Sequence, residues 1–524
     1  MSKTLVFLSI LGALDIVNPA RILAVFPTPS ISHQVVFRAL TLELVKRGHE
    51  IDVITTDPAF SKEEAPPNLR EIDIHDLSYN FIREFMIKQV AKHGIGKESE
   101  WIAVIDDFFN FFSATVGIQL KSAEVQNIFR EKKQYDLLLV EAFMRPALIF
   151  SHFFKAPVIQ VSSFGAMLEN LEAVGAPTHP LLYPIPYRQR LYNLTVWEKL
   201  REQYYHLRLV YAAHSSLRKE DEMLQRIFGP NIPSLNDLVN NIDMLFLNVH
   251  PIWMDNIPVP SNVIFMGGLH QKPFKELPQD LKSYLDLSKN GVVYVSFGTN
   301  VNPQMFTLER LKVLTETLSE LPYDVLFKWN DDVLPGKTDN IRISKWLPQS
   351  DLLRHPNIKA FVMQGGLQST DEAITAGVPL ICFPMFGDQW YNAEKYVKLK
   401  IGIKLDFMKF TKSELKNAID TIISDKSYRE NIVNLRNQMN DQPQTPLERA
   451  VWWVEYVLRH KGAKHLRAPA ANMSIAEYYE LELVLIVLLS LLVVSTAIVS
   501  FLRFVRNIVG MNEKLKTSDA IKRS

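Results

Sequence analysis

The chain has 524 residues, a formal net charge of +1, 47% hydrophobic residues and 22% charged residues. This composition is typical of a folded globular protein and excludes a disordered or fibrous chain, and the balanced charge argues against nucleic acid as a partner. The length exceeds what a single hydrophobic core supports, so two domains are expected.

The amino terminus has the pattern of a secretory signal peptide. Lys3 precedes an apolar run, residues 5–14, and a short stretch of turn-forming and small residues ends at Ala20. We predict cleavage after Ala20. The alternative is a buried first strand, but a separate strand-like run, Ile22 to Phe26, follows at once.

The first half of the chain alternates short apolar runs with helical stretches, which is the pattern of βαβ units in a parallel sheet. A helix is predicted from His33 to Lys46, and the predicted strands are Ile22 to Phe26, Ile51 to Thr55, Tyr135 to Val140 and Val158 to Ser162. Residues 183–227, rich in Tyr, Leu, Arg and Gln at helical spacing, predict helices outside the sheet. The apolar side of these helices could face a bound molecule or a membrane, and the alternative is that they are ordinary surface helices.

A proline-rich segment, residues 251–278, separates this half from a second alternating half and fits an interdomain linker. The predicted strands of the second half are Val292 to Phe297, Val325 to Trp329, Ala360 to Met363, Val378 to Phe383 and Ile401 to Leu405. The predicted fold class is therefore α/β, with two Rossmann-like domains.

Cys382 is the only cysteine, so neither an intramolecular disulfide nor a thiolate metal cluster can form. Its apolar neighbours predict a position in a core strand.

Near the carboxyl terminus, residues 483–502 contain no charge, and twenty helical residues at about 1.5 Å each span a bilayer core of about 30 Å. Acidic residues precede this run and basic residues follow it, which predicts a lumenal body and a cytosolic tail. Two glycosylation sequons, at Asn193 and Asn472, lie on the predicted lumenal side. A buried core helix is the alternative, but such helices rarely lack charge on every face.

The most informative stretch is FVMQGGLQSTDEAITAGVPLICFPMFGDQ, residues 361–389. Phe361 to Met363 ends a strand, Gly365 and Gly366 allow a tight turn, and Leu367 to Ala376 forms a helix. Exposed amides at the start of such a helix make an anion site. A glycine pair before a helix is weak support by itself, because such turns often serve only packing.

This stretch closely resembles the signature of the UDP-glycosyltransferase family, and the chain is most similar to insect members. The resemblance also covers the signal peptide, LTLELVKRGHEIDVIT, VSFGT, WLPQ and the membrane span with its short basic tail. It implies a GT-B type fold, two Rossmann-like domains facing a cleft, with a carboxyl-terminal transmembrane helix. The implied activity is inverting transfer of a hexose, expected to be glucose, from a UDP-sugar to a hydroxyl of a small lipophilic acceptor.

The resemblance also divides the chain and places it in the endoplasmic reticulum membrane as a single-pass type I protein. The implied parts are a signal peptide (1–20), an acceptor-binding domain (21–250), a linker (251–278), a UDP-sugar-binding domain (279–460), a juxtamembrane segment (461–482), a transmembrane helix (483–502) and a cytosolic tail (503–524).

Donor-site roles follow from the matching positions. The resemblance implies that Trp346 stacks on the uracil, that Gln349 bonds its edge and that Glu372 accepts both ribose hydroxyls. Asp388 and Gln389 match the pair that holds the sugar hydroxyls. The remaining residues expected to contact the UDP-sugar, mostly near the diphosphate, are Ser296, Gly298, Thr299, Gln364, Gly365, Gly366 and Gln368.

His33 is the candidate catalytic base, since histidine is the common group for removing a hydroxyl proton near neutral pH. The family pairs this histidine with an aspartate, and Glu141 occupies the matching position. A second departure is Gln364, which replaces a histidine just before the glycine pair and keeps a donor without a positive charge. No cofactor or metal ion is expected, because the helix terminus replaces the cation.

Three functions are compatible with these residues. The first is an active glycosyltransferase, and the second is a catalytically impaired UDP-sugar-binding membrane protein that acts as a partner or scaffold, suggested by Gln364 and Glu141. The third is a UDP-sugar epimerase, which would need no lipophilic acceptor. A homo-oligomer is compatible with the sequence, and no residue pattern specifies the acceptor.

Overall fold

A computed structural model of the protein describes residues 19–93, 105–299, 301 and 305–523. Most of the predicted signal peptide, residues 1–18, lies outside the described residues. The chain forms two compact units, Met1–Ala471 and Asn472–Ser524.

The first half forms a parallel sheet with the strand order β3-β2-β1-β4-β5-β6-β7 among the described residues. Its strands are β1 (Arg21–Phe26), β2 (Glu50–Thr55), β3 (Leu69–Asp73), β4 (Leu137–Glu141), β5 (Val158–Ser162), β6 (Ile242–Leu247) and β7 (Val263–Phe265). The order reverses between β1 and β4, which is where a doubly wound sheet opens a crevice for ligands.

The strands of this sheet are mostly buried, except that the edge strand β3 is partly exposed, and helices cover both faces of the sheet. These helices are α1 (Ile31–Lys46), α2 (His75–His93), α3 (Ile105–Leu120), α4 (Ala123–Glu131), α5 (Ile149–Phe154), α6 (Leu168–Val174), α7 (Val196–Phe228) and α8 (Leu235–Val239), with 3-10 turns at Arg145–Leu148 and Pro251–Met254.

The second half forms another parallel sheet, with the order β10-β9-β8-β11-β12-β13 in the described part of the chain. Its strands are β8 (Val292–Ser296), β9 (Asp324–Lys328), β10 (Ile341–Ser344), β11 (Ile358–Met363), β12 (Leu380–Cys382) and β13 (Gly402–Lys404). Here the reversal lies between β8 and β11. The surrounding helices are α9 (Gln279–Leu287), α10 (Leu308–Ser319), α11 (Gln349–Leu353), α12 (Leu367–Ala376), α13 (Gln389–Lys398), α14 (Lys412–Ser424) and α15 (Lys426–Asn440).

After the second sheet the chain returns to the first one as α16 (Pro446–His460), followed by a 3-10 turn at Lys464–Leu466. Val451 and Val454 of α16 are fully buried in the same core as Val36 and Phe37 of α1. Two elements lie across the predicted domain boundaries. Strand β7 lies within the predicted linker, and α16, from the predicted second domain, packs on the first.

The predicted outer helices of residues 183–227 correspond largely to α7, which Thr195 begins with a capping box to Glu198. One face of α7 packs on the body. The opposite face carries an apolar stripe of side chains that are each more than half exposed, namely Trp197, Leu200, Tyr204, Leu207 and Tyr211.

The second unit contains α17 (Ile475–Tyr478) and α18 (Leu481–Arg523). Within α18, Leu481–Asn512 is long and apolar enough to cross a membrane by length and composition, and it includes the predicted span.

Candidate functional site

Loops at the carboxyl ends of strands from the two sheets contact each other. Across this meeting point Gln368 Nε2 donates a hydrogen bond to the Ser163 carbonyl at 3.0 Å. Ser163 follows β5 of the first sheet, and Gln368 lies at the start of α12 beside the second. The site is therefore built from loops of both halves.

His33 and Glu141 are brought together as predicted. His33 lies in the first turn of α1, and its Nδ1 is 3.4 Å from Glu141 Oε1 at the end of β4. Glu141 is fully buried and its Oε2 accepts a hydrogen bond from the backbone N–H of Thr28 at 3.0 Å. The His33 side chain is 20% exposed, so its ring is accessible to a bound molecule, whereas the Glu141 side chain is fully buried and fixed.

Ser163 is a third member of this group that sequence reasoning missed. Its Oγ lies 2.8 Å from His33 Nδ1, closer than the carboxylate of Glu141. No local motif signals this contact, because Ser163 and His33 are 130 residues apart in the chain.

Aromatic rings extend from His33 along the first half of the site. Phe143 and Phe164 meet the imidazole edge to face, with ring centroids 5.9 and 5.8 Å away. The series continues through Phe112 and Phe108 to Tyr187. Tyr187 reaches the second half, since a Cβ added at Gly387 would lie 3.9 Å from its ring.

Gly298 and Gln364 lie side by side where β8 and β11 end. Gly298 has a φ of +76°, and a Cβ there would lie 2.3 Å from Gln364 Nε2. Only glycine therefore suits this position while Gln364 keeps its place. Ser296 is buried, with its Oγ accepting a hydrogen bond from the Gly298 N–H at 3.4 Å, whereas Thr299 is exposed.

The glycine pair forms the predicted turn into a helix. Gly365 has a φ of +96°, and a Cβ there would lie 2.7 Å from Cys382 Sγ. Gly366 is the N-cap of α12 and has no side chain to bond the first amides of the helix. Those amides and the helix dipole suit an anionic group.

Trp346 is 67% exposed after β10, and Lys328 at the end of β9 lies beside it. Lys328 Nζ is 5.6 Å from the Trp346 ring centroid and donates a hydrogen bond to the Gly298 carbonyl at 2.7 Å. Burial lowers the pKa of Lys328. Sequence reasoning missed this cation, although a lysine in the apolar strand predicted from Val325 to Trp329 was a usable signal.

Gln349, the first residue of α11, and Glu372, in the middle of α12, form one hydrogen-bonded group. Gln349 Nε2 donates to Glu372 Oε2 at 2.7 Å and to Ser369 Oγ at 2.9 Å, and its Oε1 accepts from the Tyr294 hydroxyl at 2.9 Å. Burial raises the pKa of Glu372. These contacts orient Glu372, while direct base recognition by Gln349 stays a prediction.

Asp388 and Gln389 lie at the start of α13. Asn392 Nδ2 donates to Asp388 Oδ2 at 2.9 Å and to the Gly365 carbonyl at 2.8 Å, which ties Asp388 to the glycine turn. Burial raises the pKa of Asp388 to about 6, and the nearby charge of His33 opposes that shift. Gln389 Oε1 accepts from the backbone N–H groups of Met385 and Phe386, so its amide has a fixed orientation.

Comparison with known proteins identifies similar chains over almost the whole length. The sequence profile of the family described as "UDP-glucoronosyl and UDP-glucosyl transferase" matches residues 21–515. An ecdysteroid UDP-glucosyltransferase of Spodoptera littoralis nuclear polyhedrosis virus is 36% identical over 488 residues, covering 90% of this chain and 94% of the relative. The UDP-glycosyltransferase UGT5 of Dactylopius coccus is 30% identical over 530 residues, covering 98% and 99%.

Solved structures share the fold at low sequence identity. The glycosyltransferase VinC in complex with DTDP superposes with a TM-score of 0.59 at 18% identity, covering 84% of this chain and all of that one. A UDP-glucose:anthocyanidin 3-O-glucosyltransferase in complex with UDP gives 0.56 at 18% identity, with coverage of 85% and 100%. The two parallel sheets therefore have the GT-B arrangement expected from the sequence.

Proposed function

We propose a specific reaction for this chain, which belongs to the UDP-glucoronosyl and UDP-glucosyl transferase family and is a UDP-glycosyltransferase. It moves glucose from UDP-glucose to a hydroxyl of a small lipophilic acceptor, with inversion of configuration at the anomeric carbon. The observation that carries this proposal is that the His33 and Glu141 pair of the first half lies close enough to Asp388 of the second half for the charge of His33 to act on the pKa of Asp388. In this proposal His33 is the base and Asp388 belongs to the donor site, so both groups act at one reaction centre.

His33 acts in this proposal through its Nε2. Its Nδ1 faces the carboxylate of Glu141, which can only accept a hydrogen bond, so the tautomer protonated at Nδ1 is favoured and Nε2 keeps a lone pair. Nε2 removes the proton of the acceptor hydroxyl while that oxygen attacks the anomeric carbon. Glu141 then stabilises the imidazolium that forms.

The departing UDP is stabilised from the second half. The amides at the start of α12 and the turn at Gly365 face the place where negative charge develops on the diphosphate. Gln364 contributes an amide rather than an imidazolium, so the helix terminus carries more of this stabilisation. We expect no divalent cation to be required, and transfer should continue in excess EDTA.

Glucose is the proposed sugar for two reasons. The relatives named above include an ecdysteroid UDP-glucosyltransferase. In addition, Asp388 is ionised above about pH 6 and buried, and a carboxylate there accepts hydrogen bonds from sugar hydroxyls but repels the carboxylate of a glucuronate.

The acceptor is proposed to be apolar with a reactive hydroxyl. The rings of Phe143, Phe164, Phe112 and Phe108 border the approach to His33 and offer dispersion contacts rather than hydrogen bonds. Steroids, phenols and plant or xenobiotic alcohols all fit this surface. The viral relative named for ecdysteroids makes hydroxysteroids the first class to test.

The test is an acceptor screen with mass-spectrometric detection, run with UDP-glucose, UDP-glucuronate, UDP-galactose and UDP-N-acetylglucosamine. A glycoside formed from UDP-glucose is the expected result. Donor binding without any product would instead indicate an impaired scaffold protein, and an altered UDP-sugar without acceptor would indicate an epimerase.

Replacing Trp346 by alanine is expected to weaken UDP binding by roughly 10-fold or more, because stacking of a base on an aromatic ring is worth about 1–3 kcal/mol. Glu372→Ala should also weaken binding, since it removes the proposed ribose contact. Calorimetry with UDP measures both. The matched control is Trp197→Ala, because Trp197 is 80% exposed on α7 and should not affect UDP affinity. Unchanged affinity in both site variants would refute the donor-site assignment.

We further propose that α18 anchors the protein in the endoplasmic reticulum membrane with a lumenal body. The long apolar helix and the charge asymmetry around it support this orientation. Asn193, which is exposed, should carry a glycan in cells that Asn193→Gln removes. In intact microsomes protease should remove only the basic tail, and digestion of the body with protection of the tail would show the opposite orientation.

A further inference from the structure

The position of the His33 ring depends on more than the predicted pair. Ser163 Oγ, at 2.8 Å from Nδ1, is its nearest polar partner in the site, and Glu141 Oε1 is 3.4 Å away. If Ser163 donated its proton to Nδ1, the ring proton would move to Nε2 and the base would be lost. The facing Glu141 carboxylate disfavours that tautomer, so Ser163 Oγ accepts.

Ser163 itself is held from both halves of the molecule. It is completely buried, and its carbonyl accepts one hydrogen bond from Asn248 Nδ2 of its own half and one from Gln368 Nε2 of the other, each at 3.0 Å. Both lone pairs of that carbonyl are thus in use. Asn248 therefore holds the Ser163 loop from its own half, whereas Gln368 holds it from the other half.

Gln368 is itself placed by the segment that connects the two halves. Its carbonyl is 3.2 Å from Nε2 of His270, a buried ring whose pKa burial lowers to about 4. That ring is therefore neutral, and its Nε2–H donates to the Gln368 carbonyl. Gln368 lies in the first turn of α12, at the proposed diphosphate site, although its amide nitrogen points to Ser163.

We propose that Gln368 is a positioning residue through which the second half of the molecule orients the base. It fixes the Ser163 loop from the opposite half and, through Ser163 Oγ, fixes the ring of His33. This inference rests on the proposed role of His33. It differs from the role expected from the sequence, in which Gln368 contacts the donor.

The test uses Gln368→Met in the full chain, which keeps the length of the side chain and removes its donor. With UDP-glucose and an aliphatic alcohol, kcat should fall about 10-fold, as for the loss of one orienting hydrogen bond, while the Kd of UDP changes less than about 2-fold. With an acidic nitrophenol, which needs little help from a base, the loss should be small.

The matched control is Gln271→Met. Gln271 Nε2 also donates a hydrogen bond to a carbonyl of α12, that of Asp371 at 3.1 Å. This bond does not involve Ser163, the residue that links Gln368 to His33. Its kcat should stay at the parent value. A 10-fold rise in the Kd of UDP for Gln368→Met with unchanged kcat would instead show a donor contact, and no change in either would equally overturn the proposal.

A double-mutant cycle with Ser163→Ala tests the route of the coupling. Ser163→Ala keeps the carbonyl that Gln368 binds but removes the hydroxyl that meets His33. In that background Gln368→Met should cause no further loss of kcat. A full additional loss would show that Gln368 acts by another route.

A readout that needs no turnover separates this inference from the proposed function. Diethyl pyrocarbonate modifies neutral imidazoles, and the modification rate of His33 can be followed by peptide mass spectrometry with UDP bound. Gln368→Met should raise that rate, and an unchanged rate would refute the link. If the parent protein binds UDP but glycosylates no acceptor, the proposed function fails while this rate still decides the role of Gln368.

Discussion

Replacing His33 by alanine is expected to reduce transfer to aliphatic alcohols by about 100- to 10,000-fold, the usual contribution of a general base, while UDP affinity stays near the parent value. The two effects separate because His33 belongs to the first half and acts mainly in the transition state. Initial rates with UDP-glucose and calorimetry with UDP measure them.

The acceptor dependence of the His33 variant gives the sharper result. The loss of transfer rate should be smaller for phenols of low pKa, which need less help in losing their proton.

Glu141→Ala should reduce the transfer rate less than His33→Ala does, roughly 10- to 1000-fold, because the imidazole ring remains but its tautomer is less fixed. His214→Ala is the matched control, since His214 is exposed on α7 and bonds only its own helix in the described contacts. Parent rates of His33→Ala with both acceptor types would refute the catalytic assignment.

Ending the chain after Asn440 is expected to abolish folding of the first half, although the cut lies far from it in sequence. The deletion removes α16, whose Val451, Val454 and Val457 are fully buried in the core of the first sheet. Burying one such side chain is worth about 1.5–3 kcal/mol, so the loss is of the order of the entire stability of a domain, about 5–15 kcal/mol.

The matched control for this deletion is a chain that ends after Ala471, the last residue of the first compact unit. It should unfold cooperatively on heating and bind UDP. Val454→Asp, which buries a charge, should reproduce the destabilisation, whereas Val397→Asp, at a position that is 52% exposed, should not. A cooperative thermal transition and UDP binding by the chain ending at Asn440 would contradict the prediction.

Much of the fold could be predicted because local patterns and tertiary structure agree. Val158–Ser162 is a strand and Leu367–Ala376 is a helix in the structure as in the sequence, since glycines mark both ends of that helix. The strand Leu69–Asp73 was not predicted. It is an edge strand with partly exposed side chains, so its hydrophobic pattern is weak. Neither was Val263–Phe265, a strand of three residues inside a proline-rich segment.

The functional site likewise contains residues that the sequence predicted and contacts that it did not predict. Residues that a motif places next to each other, such as Gly365 and Gly366, were predicted from the sequence, and the structure places them at the start of α12. Of the contacts between distant loops, the pairing of His33 with Glu141 was expected from the family resemblance, and the others were not predicted. Ser163 meets His33, and Lys328 meets Trp346, only because strand ends from separate parts of the chain converge. The lysine in an apolar strand marks Lys328 as unusual, but no local pattern tells which distant residue it meets.

The single cysteine has a practical consequence for studying motion in this enzyme. Cys382 lies on β12 with no exposed surface, beneath the turn at Gly365, and burial raises the pKa of its thiol. A thiol reagent can therefore react only during a transient opening of the second sheet, so the labelling rate reports how often that half opens. Bound donor should slow this labelling. The first half contains no cysteine and contributes no background labelling, so the labelling rate of the unaltered chain measures opening of the second half alone.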